Sequence, residues 1–199
     1  VATEWGPVKL WKNHEGVLKE VTQESGLGVA KGWWNGVQVA DVDGDGDSDI
    51  IGLNVGLNTK YGEAHCDSPA ILYFGDMDGT GQPHLIEAKT KKDNLLPVRG
   101  RSCSANAMPM IRQNFGTFRD FASADLDTIY TPDRLEGAER FEADAFESGV
   151  WLNTSENGVP TFTFVPFPRI AQISPAYGAA VSDFNGDGLK DIFIGGARQ

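Results

Sequence analysis

The sequence predicts an all-β fold interrupted by a small helical insertion. Three observations carry this expectation. Two hairpin-like segments lie toward the two ends, an acidic loop follows each of them, and from about 90 to 146 the β rhythm stops. Hairpin and loop recur together as one unit, and such an internal repeat organises a chain before any single motif does.

The first hairpin is Val8-Lys-Leu-Trp-Lys-Asn13, the turn His14-Glu-Gly16, and Val17-Leu-Lys-Glu-Val21. The segment reads as a strand, a glycine-containing turn and a second strand, the pattern of a hairpin. The second is Gly149-Val-Trp-Leu-Asn153, the turn Thr154-Ser-Glu-Asn-Gly158, and Thr161-Phe-Thr-Phe-Val-Pro166. After the hairpins come Gly36–Gly52 and Gly178–Gly195, each a short strand, an acidic loop and an apolar strand. Asn13 precedes Asp41 by 28 positions, and Asn153 precedes Asp183 by 30. A third, weaker copy runs from Leu72 to Ile86, with Thr80 at the fifth loop position, His84 at the ninth and Pro83 removing a backbone donor.

The central stretch predicts helices over 108–122 and 132–143. Ile111, Phe115 and Phe118 recur at i, i+4 and i+7, and Asp133 and Glu136 suit a first helical turn. The expected division is strands with acidic loops over 1–89, a helical insertion over 90–146, and further strands with the last loop over 147–199.

Asp41-Val-Asp-Gly-Asp-Gly-Asp-Ser-Asp49 sets five carboxylates at alternate positions. Like charges this close repel, and burying them unpaired is prohibitive. A hard divalent cation removes the conflict, and Ca²⁺ takes six to eight oxygen ligands from a flexible loop. Asp41, Asp43, Asp45 and Asp49 offer side-chain oxygens, and Asp47 its backbone carbonyl. In the second loop the corresponding groups are Asp183, Asn185, Asp187 and Asp191, with the Leu189 carbonyl. In the third they are Asp76, Asp78 and Thr80. An EF-hand needs a bidentate Glu at position twelve and flanking helices. Here that position is Gly52 or Ile194, and strand-like apolar runs follow. Five close protein oxygens also exceed what Mg²⁺ usually accepts.

The motif strand-Asp-x-[Asp/Asn]-Gly-Asp-Gly-x-x-Asp-Ile-strand resembles the FG-GAP/VCBS repeat of integrin-like β-propellers. The hairpin Leu10–Thr22 and the segments Glu24–Asn35, Glu147–Asn153 and Ala171–Gly178 are similar to bacterial VCBS proteins, though the ASPIC/UnbV-type domain many of those carry does not appear. The resemblance implies blades of four antiparallel strands, with calcium in the loop joining the first two strands of a blade, in an exported protein. Thr80 and His84 depart from the motif. Two to three blades fall short of the four to eight with which propellers close. A segment of a longer protein, or edges covered by a partner or another copy, is therefore expected. The Gly195–Gln199 end reads as cut mid-blade.

The net charge of −11 argues against nucleic acid, whose phosphates need a basic footprint. Ten of the 28 acidic residues lie in the three loops: Asp41, Asp43, Asp45, Asp47, Asp49, Asp76, Asp78, Asp183, Asp187 and Asp191. Bound cations would cancel much of that charge. No apolar run is long enough to span a membrane. The N-terminus lacks signal-peptide features, so a signal has been removed or the start lies inside a longer protein. Cys66 and Cys103 permit one disulfide or two free thiols.

His14, His65 and His84 share no metal spacing, and no nucleophile elbow, phosphate loop or paired-Cys motif appears. A calcium-filled loop holds its carboxylates ionised, the reverse of the raised pKa a glycosidase acid needs. Trp33-Trp34 suit either a sugar platform or a core between blades. Asn153-Thr-Ser155 fits a glycosylation sequon by type but lies in a hairpin turn. The leading functional expectation is a calcium-stabilised, non-enzymatic extracellular binding or assembly module, secreted, periplasmic or at the cell surface of a bacterium. Its partners would be other protein chains, the remainder of a longer propeller, or glycan. The alternatives are an accessory segment of an exported polysaccharide-acting enzyme, and a propeller enzyme with its site on the insertion.

Overall fold

The computed structural model describes residues 1–197 apart from 63, 93, 157 and 159. In chain order the first strands are β1 (Glu4–Pro7), β2 (Trp11–His14), β3 (Val17–Glu20), β4 (Lys31–Ala40) and β5 (Asp49–Asn54). Then come β6 (Ala70–Gly75), β7 (His84–Lys91) and β8 (Asn94–Pro97). Five short helices follow: α1 (Arg101–Ala107), α2 (Met110–Asn114), α3 (Phe118–Ser123), α4 (Leu126–Tyr130) and α5 (Pro132–Glu136). The last strands are β9 (Glu139–Ala143), β10 (Gly149–Asn153), β11 (Phe162–Pro166), β12 (Ala176–Ser182) and β13 (Asp191–Gly196).

The chain forms two compact units, Val1–Thr59 with Ala143–Gln199, and Lys60–Glu142. In the first unit β4, β5, β10 and β11 form an antiparallel meander, with β1 added beside the start of β4. Hairpins β2–β3 and β12–β13 are separate two-stranded sheets. Sequence equivalence gives these pieces their places. The acidic loop between β12 and β13 matches the one between β4 and β5, and Trp11 and Asn13 of β2 match Trp151 and Asn153 of β10. The first unit therefore holds one complete four-stranded blade between two half-blades, the strand pattern of a partial β-propeller.

β5 is buried along its whole length because both faces are covered. Ile50 packs with Val8, Leu27, Trp34 and Trp151. Ile51 and Leu53 point the other way, into a cluster with Val150, Ala176, Val181 and Ile192. Between them sits Gly52, where an added Cβ would lie 2.3 Å from the Trp151 ring and 2.9 Å from that of Trp34. The two indoles meet at 4.8 Å between centroids. Trp34 therefore belongs to the core, whereas Trp33 is half-buried with its ring 5.9 Å from that of Trp5.

The second unit pairs its strands in the order β8-β7-β6-β9. Ile71, Tyr73, Ile86 and Ala88 from its strands share one core with Ile111, Phe115, Phe121, Leu126, Ile129 and Tyr130 from its helices. That shared core moves the expected boundaries. Residues 70–97 pack with the helices, so the division falls at 59/60 and 142/143 instead of at 89/90 and 146/147. Nor is 147–199 one blade: β10 and β11 complete the sheet begun by β4 and β5, and β12–β13 stands apart. The unit 60–142 is thus inserted between the second and third strands of the complete blade.

The helices also differ from expectation. The segment 108–122 breaks at Phe115-Gly-Thr117, where the Thr117 side chain accepts from Asp120 N–H and Asp120 returns the bond in a capping box. Phe118 is consequently exposed, and Phe121 takes the place in the core. The segment 132–143 is helical only to Glu136, and 139–143 is a strand. Helices α1 and α4 carry no periodic signal long enough to have been anticipated.

Candidate metal loops

All three acidic loops fold alike. The fourth and sixth positions are glycines with positive φ: Gly44 and Gly46, Gly79 and Gly81, Gly186 and Gly188. Only glycine adopts that conformation without steric cost. The turn aims backbone N–H groups at the first carboxylate. Gly44 and Gly46 donate to Asp41 at 2.8 and 3.2 Å. Gly79 and Gly81 donate to Asp76 at 2.8 and 2.9 Å. Gly186 and Gly188 donate to Asp183 at 2.6 and 2.8 Å. The Gly188 N–H, with those of Gly186 and Asp187, holds the Asp183 carboxyl below the usual carboxylate range.

In the first loop Asp41, Asp43 and Asp49 each bring one carboxylate oxygen to within 4.8 Å of the others. Asp45 and Asp47 stand outside this group, and Asp45 Oδ1 accepts from Asp47 N–H at 2.8 Å. Three hard oxygen donors on a short, glycine-hinged loop fit Ca²⁺. Its charge would neutralise the cluster and cross-link the loop. The set at Asp183, Asn185, Asp187, Leu189 and Asp191 has the same backbone hydrogen bonds, with Asn185 Oδ1 accepting from Asp187 N–H at 2.9 Å.

Position nine closes the turn. Asp49 is fully buried, and its Oδ2 accepts from Val42 N–H at 2.7 Å. Asp191 Oδ2 accepts from Phe184 N–H at 2.9 Å in the same way. The first loop has a further closure the sequence did not announce. Asn153, at the end of β10, donates its backbone N–H to Asp49 Oδ1 at 2.8 Å and its carboxamide N–H to the Ser48 carbonyl at 3.1 Å. The only signal was the recurrence of Asn at 13 and 153, which marked the repeat without assigning the contact. The same carboxamide occupies the sequon position, so its hydrogen bond competes with glycosylation there.

The third loop is built differently. His84 replaces the ninth carboxylate, its Nε2 lying 3.5 Å from Asp78 Oδ2 without hydrogen-bond alignment. The Thr80 hydroxyl donates to Asp78 at 2.6 Å, and this bond first of all holds the Asp78 carboxyl low. Arg134 donates to the Met77 carbonyl at 2.7 Å, so a permanent cation already rests against this loop.

The second unit also contains a cavity of about 270 Å³ bordered by Ile86, Glu87, Arg99, Cys103 and Tyr130. Its one carboxylate is satisfied: Tyr61 Oη donates to Glu87 at 2.7 Å and Arg99 Nε at 2.8 Å. Burial and the Glu87 charge push the Tyr61 hydroxyl upward. Cys66 and Cys103 are both free, exposed thiols.

Comparison with known proteins agrees with the loop geometry. A model of the FG-GAP-like repeat matches residues 1–52, which span hairpin β2–β3, strand β4 and the first acidic loop. No curated protein and no solved structure gives a significant match.

Proposed function

The chain carries an FG-GAP-like repeat, and on that premise we propose that it is a calcium-stabilised, non-enzymatic binding or assembly module of an exported bacterial protein. The observation that carries the reading is the convergence of Asp41, Asp43 and Asp49 on a turn repeated almost bond for bond at Asp183–Asp191. Extracellular modules work with calcium affinities of about 10⁻⁴–10⁻³ M, which suits exposed loops such as these. The carboxyls of Asp183 and Asp78 are held low, the wrong direction for a general acid. The contact surfaces are the half-blade edges. Among the described residues β2 and β13 each have one strand neighbour, and Val17, Leu18 and Phe193 are exposed on these hairpins. Open edges with apolar side chains invite another strand, from the remainder of a propeller or from another chain.

Calcium titration calorimetry tests the metal reading by its stoichiometry. About two ions should bind per chain, one in 41–49 and one in 183–191, with Asp76→Ala leaving the count unchanged. No heat of calcium binding at millimolar concentration contradicts it. The Trp5–Trp33 pair favours a second reading, a glycan-binding accessory segment. Glycan-array binding abolished by Trp33→Ala would support that reading, and an array without signal would remove it.

A further inference from the structure

We propose that the cavity between β7 and α1 in the second unit binds a small uncharged organic molecule carrying a single acceptor oxygen. This goes beyond the calcium reading and does not rest on it. The cavity holds about 270 Å³, and its bordering residues all belong to the second unit. An apolar cavity of about 150 Å³ is already enough to take up benzene. One ring with a short substituent therefore fits. Cys103 and Arg99 border the cavity and are exposed, so a ligand has a way in from solvent.

The lining sets the chemistry of the occupant. Ile86, Pro97, Ala107 and Met108 supply apolar walls, and Ile86 and Met108 are themselves part of the buried core. The charges of Glu87 and Arg99 answer each other. Arg99 Nε donates to Glu87 at 2.8 Å, and Tyr61 Oη donates to the same carboxylate at 2.7 Å. An incoming ion would lose its hydration beside a pair that is already satisfied, which disfavours a charged ligand. Water, which needs two to four polar partners, gains little against walls of this kind.

Tyr130 supplies the unanswered polar group. It borders the cavity, and its hydroxyl is fully buried with no hydrogen-bond partner. The Ser104 hydroxyl lies nearby, outside hydrogen-bond alignment with it, and donates to the Arg99 carbonyl at 3.4 Å. A buried hydroxyl without a partner is costly, and native proteins keep few of them. Burial pushes the Tyr130 hydroxyl upward, so it stays protonated and has a hydrogen to give. Its complement is an acceptor, the oxygen of a ketone, an ether or an alcohol on an apolar body. Apolar walls with a few polar groups that fix orientation are the usual make-up of a small-molecule site.

Acetophenone, ethylbenzene and benzoate test the inference on the full chain. They share a ring and differ as acceptor, hydrocarbon and anion. Binding is read by NMR from protein whose methionines carry ¹³C methyl groups. Met108 borders the cavity and Met77 does not, so the ring current of a bound probe should move the Met108 methyl and leave that of Met77. Acetophenone should bind about tenfold more tightly than ethylbenzene, the worth of one hydrogen bond. Benzoate should not bind. Tyr130→Phe should bring acetophenone down to the affinity of ethylbenzene and leave ethylbenzene unchanged. The inference is overturned if acetophenone at its solubility limit leaves the Met108 methyl in place, or if ethylbenzene binds as tightly as acetophenone. It is equally overturned if benzoate binds best, or if Tyr130→Phe keeps the preference for the ketone. The wild-type comparison decides the point even if Tyr130→Phe fails to fold. None of these outcomes involves the acidic loops, so failure here leaves the calcium reading standing.

Discussion

Single atoms decide the most at Gly52 and at Asp49. Gly52 lies between two indoles, and its missing Cβ lets Trp34 and Trp151 meet across β5. Gly52→Ala should destabilise the first unit by roughly 1–3 kcal/mol, the usual cost of overpacking a filled core. Urea unfolding measures this, and an unchanged midpoint would mean the indoles yield at no cost. Asp49 is buried because Val42 and Asn153 satisfy both its oxygens. Spacing alone placed Asp49 in the acidic loop expected to hold a metal. It could not show Asn153 as its partner, because strand pairing across the inserted unit brings the two together. Gly52 was likewise visible only as the residue that excludes an EF-hand.

Among the elements, local signals succeeded where a glycine or a strong alternation punctuates the chain. The hairpins at 8–21 and 149–166, and the strands leaving the acidic loops, were legible for that reason. The helices were not, because each is only five to seven residues long and is held by caps and tertiary packing. Phe118 continued the expected period, yet the Thr117–Asp120 capping box starts a new helix there and turns Phe118 outward. Asp125 caps α4 by accepting from Thr128 N–H at 2.9 Å. Hydrogen bonding from Thr128 holds its carboxyl below the ordinary value of 3.8. A depressed folded-state pKa means stability that is complete above the unfolded value and lost as pH falls through the folded one. Asp125→Ala should therefore cost about 1 kcal/mol at neutral pH. The gap to wild type should hold down to about pH 4 and shrink below it. A gap that grows with acidification would be the wrong sign and would refute the cap.

At the scale of the molecule, the repeat visible in the sequence is offset from the sheets. Hairpin followed by acidic loop reads as a unit along the chain, and the matched segment 1–52 is such a unit. In space the hairpin pairs backward. β10–β11 completes the sheet of the loop before it, and the loop after it begins another sheet. The sequence could not reveal this offset, because it turns on which strand pairs with which. The acidic loops then do for the blade what a packed turn cannot, holding several carboxylates where strands converge. On the proposed reading, a bound cation would relieve the repulsion among the carboxylates of the first loop.

The most direct measurement is the melting temperature of the full chain, at neutral pH, in excess EDTA and in increasing calcium. A ligand that binds only the folded state stabilises it by RT ln(1 + [L]/Kd), about 2.7 kcal/mol at one hundred times Kd. Metal-held blades predict a melting temperature that climbs continuously with calcium and falls back on chelation, with the rise reduced in Asp41→Ala. A melting temperature that is the same in EDTA and in millimolar calcium would contradict the claim that these loops are metal sites.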